Sequence, residues 1–264
     1  MSLLGSFIVP HPPLIIPEVG KGQEKKIQET TNAYKSIAKK IKKLKPDTII
    51  ICSPHSVNYY DYFHISPGKK ASGNFNRFNA NIQLNVTYDY ELVKTLEKYS
   101  TMNHIPAGVK GERDQHLDHG TLIPLYFINK EYQEYDMVRI SLSGLSLKKH
   151  FEFGQMIREA METFDKKYVF IASGDLSHKL KEDGPYGYIK EGPIFDEYVI
   201  EAIRNNQLES LLNLDDTLVE KAAECGLRSF VIMAGVIQKE AFKSELISYE
   251  CPFGVGYSVA SFLP

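Results

Sequence analysis

The stretch Thr48-Ile49-Ile50-Ile51-Cys52 decides how this chain is read. It is a continuous apolar, β-branched run too short for a helix, which predicts a strand buried on both faces. Upstream, Gln23 to Leu44 carries apolar residues at Ile27, Tyr34, Ile37, Ala38, Ile41 and Leu44, with lysines between them. That is helical periodicity with one buried face, and Pro46-Asp47 ends it. The basic run Lys39 to Lys45 falls on the same helix and is read as its solvated side. Further upstream, Leu3 to Val9 is another short apolar run, stopped by Pro10. Strand, helix, strand predicts a βαβ unit and a parallel sheet.

The order recurs downstream as Asp136 to Leu142, Lys148 to Phe164 and Tyr168 to Ala172. Between the two units, Tyr60 to Ser66 and Ile82 to Val86 read as strands around a polar, Gly-containing loop, and Glu91 to Tyr99 as a short helix. Ile194 to Asn205, Gln207 to Leu212 and the apolar Gly226 to Lys239 read as helices, with Glu245 to Tyr249 and Val255 to Leu263 as closing strands. No repeat, linker or low-complexity segment divides the chain, so the expectation is one α/β domain over residues 1–264.

Charge and cysteine content narrow the function classes. The chain has 264 residues, 31 basic and 33 acidic, for a net charge of −2. That balance gives no electrostatic reason to expect nucleic acid or an anionic membrane as partner. The three cysteines are far apart and form no CxxC pair, which argues against a zinc knuckle or redox dithiol and fits a reducing compartment. The apolar N-terminus has no basic segment ahead of it and is broken by prolines, a poor signal peptide and too short a span. The expected location is the cytoplasm.

The chemistry-bearing residues gather after the predicted strands. His11 follows the first and His55 the second, each flanked by proline. Ligands of open α/β sheets bind at the carboxyl ends of parallel strands, so these two imidazoles are candidates for one site. Ser173-Gly174-Asp175-Leu176-Ser177-His178 follows a third strand. Asp118-His119-Gly120 precedes the apolar run Thr121 to Ile128, where Asp118 reads as an imidazole-orienting group or a helix cap. Glu224-Cys225-Gly226 heads the apolar helix; Glu224 reads as a first-turn acid or as the anionic ligand that two neutral histidines lack. His64, His104, His116 and His150 have no comparable setting and are read as sheet-surface, loop or helix-face residues.

Five motifs in order are F-I-V-P-H-P-P (7–13), S-P-H-S (53–56), L-D-H-G-T-L-I-P-L (117–125), S-G-D-L-S-H (173–178) and E-C-G-L-R (224–228). Together they resemble the LigB-like class III extradiol dioxygenase superfamily, and within it the dioxygenase-like domain of the AmmeMemoRadiSam system and the Memo-like proteins. The resemblance implies a three-layer α/β fold, with a central mostly parallel or mixed sheet and helices on both faces. It implies metal ligands at His11, His55 and the Glu224-Cys225 stretch, an acid–base residue at His178 and a pocket histidine at His119. Ring-cleaving members use Glu as third ligand and Memo-like members Cys. This chain has both, and Glu224 is taken as the ligand because a carboxylate completes the facial triad of an Fe(II) site while a thiolate is open to oxidation.

The implied cofactor is Fe(II), with Zn as the alternative, and the implied substrates are a catechol-type aromatic and O2. AMMECR-type and radical SAM proteins are implied partners, and an oligomer is compatible with the resemblance. Members of that system often continue into an AMMECR-type domain, which makes this chain a stand-alone version or a fragment. Tyr186 and Tyr188 read as a pocket rim or as a Gly-Pro turn. A Memo-like protein without ring cleavage and a zinc hydrolase are the competing readings.

Overall fold

A computed structural model describes residues 2–113 and 116–264. The strands are β1 (Ser2–Val9), β2 (Thr48–Ser53), β3 (Phe63–His64), β4 (Lys70–Asn74), β5 (Gln83–Thr87), β6 (Ala107–Gly108), β7 (Asp136–Ser141), β8 (Lys167–Ser173), β9 (Lys243–Glu250) and β10 (Tyr257–Leu263). The α-helices are α1 (Pro17–Gly20), α2 (Gln28–Leu44), α3 (Tyr90–Met102), α4 (His119–Ile128), α5 (Leu147–Met161), α6 (Glu191–Arg204), α7 (Asp216–Ala222) and α8 (Leu227–Ile237).

Six strands form the central sheet in the order β7-β2-β8-β1-β10-β9. β7, β2, β8 and β1 run parallel, while β10 pairs antiparallel with both β1 and β9. The sheet is therefore mixed, and helices cover both faces. Strand β2 shows why: every residue of it is buried. Ile50 and Cys52 enter one core with side chains of α3, α5, α6 and α8. Ile49 and Ile51 enter the other, with Tyr34, Ile37 and Ile41 of α2 and residues of α4. A strand alternates its side chains between faces, so a run apolar at every position needs a layer on each side.

Several boundaries differ from the sequence reading. A 3-10 turn, Gln23–Ile27, precedes α2, which begins at Gln28. Of Tyr60 to Ser66 only Phe63–His64 is strand, paired with β6. Lys70–Asn74 forms a hairpin with β5 that the polar loop concealed. His64 is buried, not on a sheet surface, and His150, read as a helix-face residue, lies on the buried face of α5. His150 hydrogen-bonds through Nδ1 to Ser146 O and accepts from Ser143 N at 3.3 Å. No helix among the described residues is long and apolar enough to cross a membrane.

Candidate metal centre

Neighbouring parallel strands β2, β8 and β1 end side by side, and the loops leaving them carry His55, Asp175 and His178, and His11. The His11 backbone N–H donates to Asp175 Oδ1 at 2.8 Å, which ties the β1 and β8 loops together. Ser173 Oγ donates its one proton to Gly120 O at 2.7 Å. It must then accept from His11 Nδ1, 3.0 Å away, so the His11 proton lies on Nδ1. The lone pair on Nε2 is left facing His55 Nε2 at 2.9 Å. Two nitrogens bound to one first-row metal at roughly 2.0–2.1 Å would stand about this far apart.

The third donor against this pair is Cys225. Its Sγ is 3.5 Å from His11 Nε2, and the donor atoms of His11, His55 and Cys225 all lie within 4.8 Å of one another. Asp175, His178 and Cys225 form a second group meeting the same limit, and Asp175 Oδ2 is 4.0 Å from His11 Nε2. Glu224, chosen from the sequence as third ligand, is turned elsewhere. Its Oε2 accepts from Leu227 N at 2.6 Å, serving the N-terminus of α8. Adjacent residues at a helix start diverge, and here the thiol faces the histidines in place of the carboxylate.

Backbone contact holds Cys225 there. A Cβ on Gly174 would lie 2.1 Å from Gly226 Cα, so the β8 loop and the start of α8 touch main chain to main chain. Asp175 N donates to Cys225 Sγ at 3.2 Å and Cys225 N to Asp175 O at 3.3 Å.

Burial, followed by the neighbouring His55, holds the His11 pKa well below the ordinary value. Burial also lowers His55. His119 is pushed down to about 3 by burial and then by His11, His55 and Arg77. All three imidazoles are neutral near pH 7, the form that binds metal. Burial, with the Asp175 and Glu224 carboxylates, raises the Cys225 thiol well above its usual range. A cation against Sγ would reverse that and hold the thiolate. A lone pair on His11 Nε2 aimed at the His55 ring, a second neutral imidazole and a thiol that needs a positive neighbour are the donor chemistry of a divalent ion.

His119 stacks on His55 with ring centroids 4.1 Å apart, and the two rings of His11 and His119 are 5.3 Å apart. Arg77 Nη2 is 2.7 Å from His119 Nδ1. A guanidinium only donates, so Nδ1 accepts and the His119 proton lies on Nε2. His178 Nε2 is buried with no hydrogen-bond partner among the described residues. Its ring centroid lies 5.2 Å from that of Tyr186, whose exposed side chain borders the site; Tyr188 is also exposed. Asp118 is both cap and support. It accepts from Thr121 N, capping α4, and from Ser53 Oγ, and faces the buried Arg139 guanidinium at 3.5 Å.

Sequence reasoning weighed Cys225 against Glu224 and chose Glu224; it passed over Ser173, the group that sets the His11 tautomer, and Arg77. A polar residue ending an otherwise apolar strand was the available signal for Ser173.

A buried strut fixes the loop carrying Asp175 and His178. Ser177 N donates to Asp196 Oδ1 at 2.8 Å and Tyr249 Oη to Asp196 Oδ2 at 2.7 Å. Burial pushes the Asp196 carboxyl up to about 7. The folded state therefore holds a proton that the unfolded chain releases near 4, so this contribution is complete at low pH and lost as pH rises through about 7. Asp196→Asn should flatten that decline, by roughly 1–3 kcal/mol between pH 5 and pH 8. Urea unfolding of both proteins at the two pH values checks it; parallel pH dependence would refute the assignment.

Residues 5–260 match the family described as the catalytic LigB subunit of aromatic ring-opening dioxygenase. The chain belongs to the LigB family. Among LigB relatives, protein CA_C1420 of Clostridium acetobutylicum is 40% identical over 98% of this chain, which spans 57% of that protein's length. The 2-aminophenol 1,6-dioxygenase beta subunit of a Pseudomonas species is 24% identical, covering 98% of this chain and 93% of its own. The 3,4-dihydroxyphenylacetate 2,3-dioxygenase of Escherichia coli is 23% identical, covering 84% of each. The crystal structure of the uncharacterised protein JW3007 from Escherichia coli K12 shares the fold, with a TM-score of 0.62 and 15% identity over 99% of this chain and all of that one. The LigB fold and the mixed α/β sheet thus agree with the resemblance read from the five motifs.

Proposed function

We propose that this chain is a metal-dependent dioxygenase-like enzyme that joins O2 to an aromatic ring bearing adjacent hydroxyl or amino groups, with Fe(II) as its metal. His11, His55 and Cys225 would hold the ion, with Asp175 behind them. The carrying observation is the 2.9 Å approach of the His11 and His55 Nε2 atoms with Cys225 Sγ beside them. Two relatives are named as dioxygenases of 2-aminophenol and 3,4-dihydroxyphenylacetate, which supports that substrate class. When bound, the metal supplies Lewis acidity and a template for two reactants.

The protein's own groups do the proton work. His178, neutral because burial lowers its pKa and with Nε2 free of partners, takes the proton from the ring hydroxyl and returns it later. His119 offers its Nε2–H to the substrate oxygens, since Nδ1 is engaged by Arg77. We read residues 1–264 as one LigB-like domain acting in the cytoplasm, with AMMECR-type or radical SAM proteins as partners.

Cys225 also favours a second reading. A thiolate suits softer ions, so a zinc centre, in a Memo-like protein without ring cleavage or in a hydrolase, is the competitor. Metal analysis after anaerobic purification, with O2 uptake on catechol and 2-aminophenol, separates them. Iron near one per chain with O2 consumed supports the proposal. Zinc and no O2 uptake from the iron-reconstituted protein would sink it. His178→Gln should lose turnover and keep its metal; loss of metal would reassign His178 as a ligand.

A further inference from the structure

The helices on one face of the sheet enclose a cavity of about 770 Å³ that the metal centre does not use. It lies between the start of α5, the 3-10 turn Leu208–Asn213, α7 and the first turn of α8. None of His11, His55, His119, Asp175, His178 or Cys225 lines it. Glu224 does, so the turn before α8 presents its thiol to the histidines and its carboxyl group to this second space. Small-molecule sites have volumes of about 300–1,000 Å³, and this one falls among them.

The group in it that calls for a partner is Arg228. Its Nε is buried with no hydrogen-bond partner, and its guanidinium enters no ion pair, among the described residues. Glu224, four residues before it, gives Oε2 to Leu227 N. A guanidinium offers five N–H donors and keeps its charge, so an Nε–H shut away from water costs free energy until an acceptor arrives. Two further positive features meet it. The cap Ser146 Oγ reaches only Lys149 N, at 3.4 Å, and the N–H groups of Leu147 and Lys148 at the start of α5 have no partner within the helix. Both residues line the cavity, and Lys148 adds an exposed ammonium. Leu147, Leu212, Leu214 and Val219 give it an apolar wall. Asp216 and Glu220 of α7 stand exposed at its edge, and they would repel a doubly charged head more strongly than a singly charged one.

We propose that this cavity binds an amphipathic monocarboxylate, an organic acid with one charged head and an aliphatic body. The head meets the Arg228 guanidinium through paired N–H donors, with the N-terminus of α5 beside it, and the body lies on Leu212, Leu214 and Val219. Planar, bidentate recognition is what an arginine supplies and a lysine does not. The site is a second one, separate from the metal and from the ring that the metal would address.

The probe is octanoate, titrated calorimetrically into the full chain. It should bind about tenfold or more tighter than 1-octanol, which lacks the charge, or octyltrimethylammonium, which carries the opposite one. Arg228→Gln should lose about tenfold or more in octanoate affinity, and Arg228→Lys less. Val219→Trp fills the cavity from α7 without touching the arginine and should also lose the acid. Urea midpoints establish that each variant is folded. Cys225→Ala, which removes a metal donor, should bind octanoate as the parent does. Absence of octanoate binding, equal or tighter binding of the cationic probe, or unchanged affinity in folded Arg228→Gln or Val219→Trp overturns the inference. So does loss of binding in Cys225→Ala, which would place the carboxylate on the metal.

Discussion

Cys225→Ala is expected to lose metal while Glu224→Ala keeps it. In the cysteine variant two imidazoles remain, and affinity should fall by more than the roughly 10–100-fold that loss of an outer-shell partner costs. Glu224 contributes at the other side of the same turn. Its carboxylate accepts from Leu227 N, and burial pushes it up to about 7, so removing it costs α8 a cap-like bond and relieves a buried acid at once. The net change in stability should be within about 1 kcal/mol. Metal content after dialysis, with urea midpoints to confirm folding, checks both. Loss of metal in Glu224→Ala and its retention in Cys225→Ala would restore the carboxylate as third ligand and reverse the assignment made here.

Asp118→Ala should produce the largest loss of stability, about 3–5 kcal/mol. Arg139 is 1% exposed and is the largest fully buried side chain among the described residues; its guanidinium lies 3.5 Å from Asp118. Removing that carboxylate takes away the anion that faces a buried guanidinium and strips α4 of its cap. Burial alone would raise the Asp118 pKa, but Arg139 and the hydrogen bonds from Ser53 and Thr121 outweigh it and hold it below the ordinary value. The contribution is therefore present above pH 4 and lost as pH falls through the lowered pKa. Asp118→Asn, which keeps the cap oxygen, should lose less. Denaturant unfolding at pH 7 measures the set, and an alanine variant within 1 kcal/mol of the parent would refute the pairing.

Much of this architecture was legible because its signals are local. A six-residue strand apolar at every position demands cover on both faces, and a histidine just past such a strand can only sit at the sheet's carboxyl edge. His11 and His55 follow from that rule. Glu224 against Cys225 does not, because the direction of each side chain depends on backbone angles before α8. Ala223 has a left-handed φ of 52°, and that single residue turns the next two. Nothing in its identity announces it, since alanine rarely adopts that conformation. The burial of His150 escaped the helix-face reading for a different reason. His150 follows Leu147 at helical spacing and is followed by Phe151 and Phe153, and it lies on the buried side of α5, where Ser146 and Ser143 satisfy its two nitrogens. Arg77 was invisible because its loop has no periodicity, and the hairpin that carries it to the site is a tertiary event. Strand order was equally out of reach, since β10 and β9 join the sheet from the far end of the chain.

The Gly174–Gly226 contact bears on which ions the protein could ever accept. The gap between Cys225 and the histidines is set by the thickness of two peptide chains lying against each other, not by rotamers that could swing aside. The calibre of the cavity is thus rigid in a way that side-chain packing is not. An alanine at Gly174 would act as a shim, driving the sulfur outward by about the width of a methyl group while leaving every donor residue in the sequence unchanged. Ion size and donor spacing would then be mismatched with the ligand list unchanged, so selection for a different metal at this site has a route through glycine that never touches a ligand.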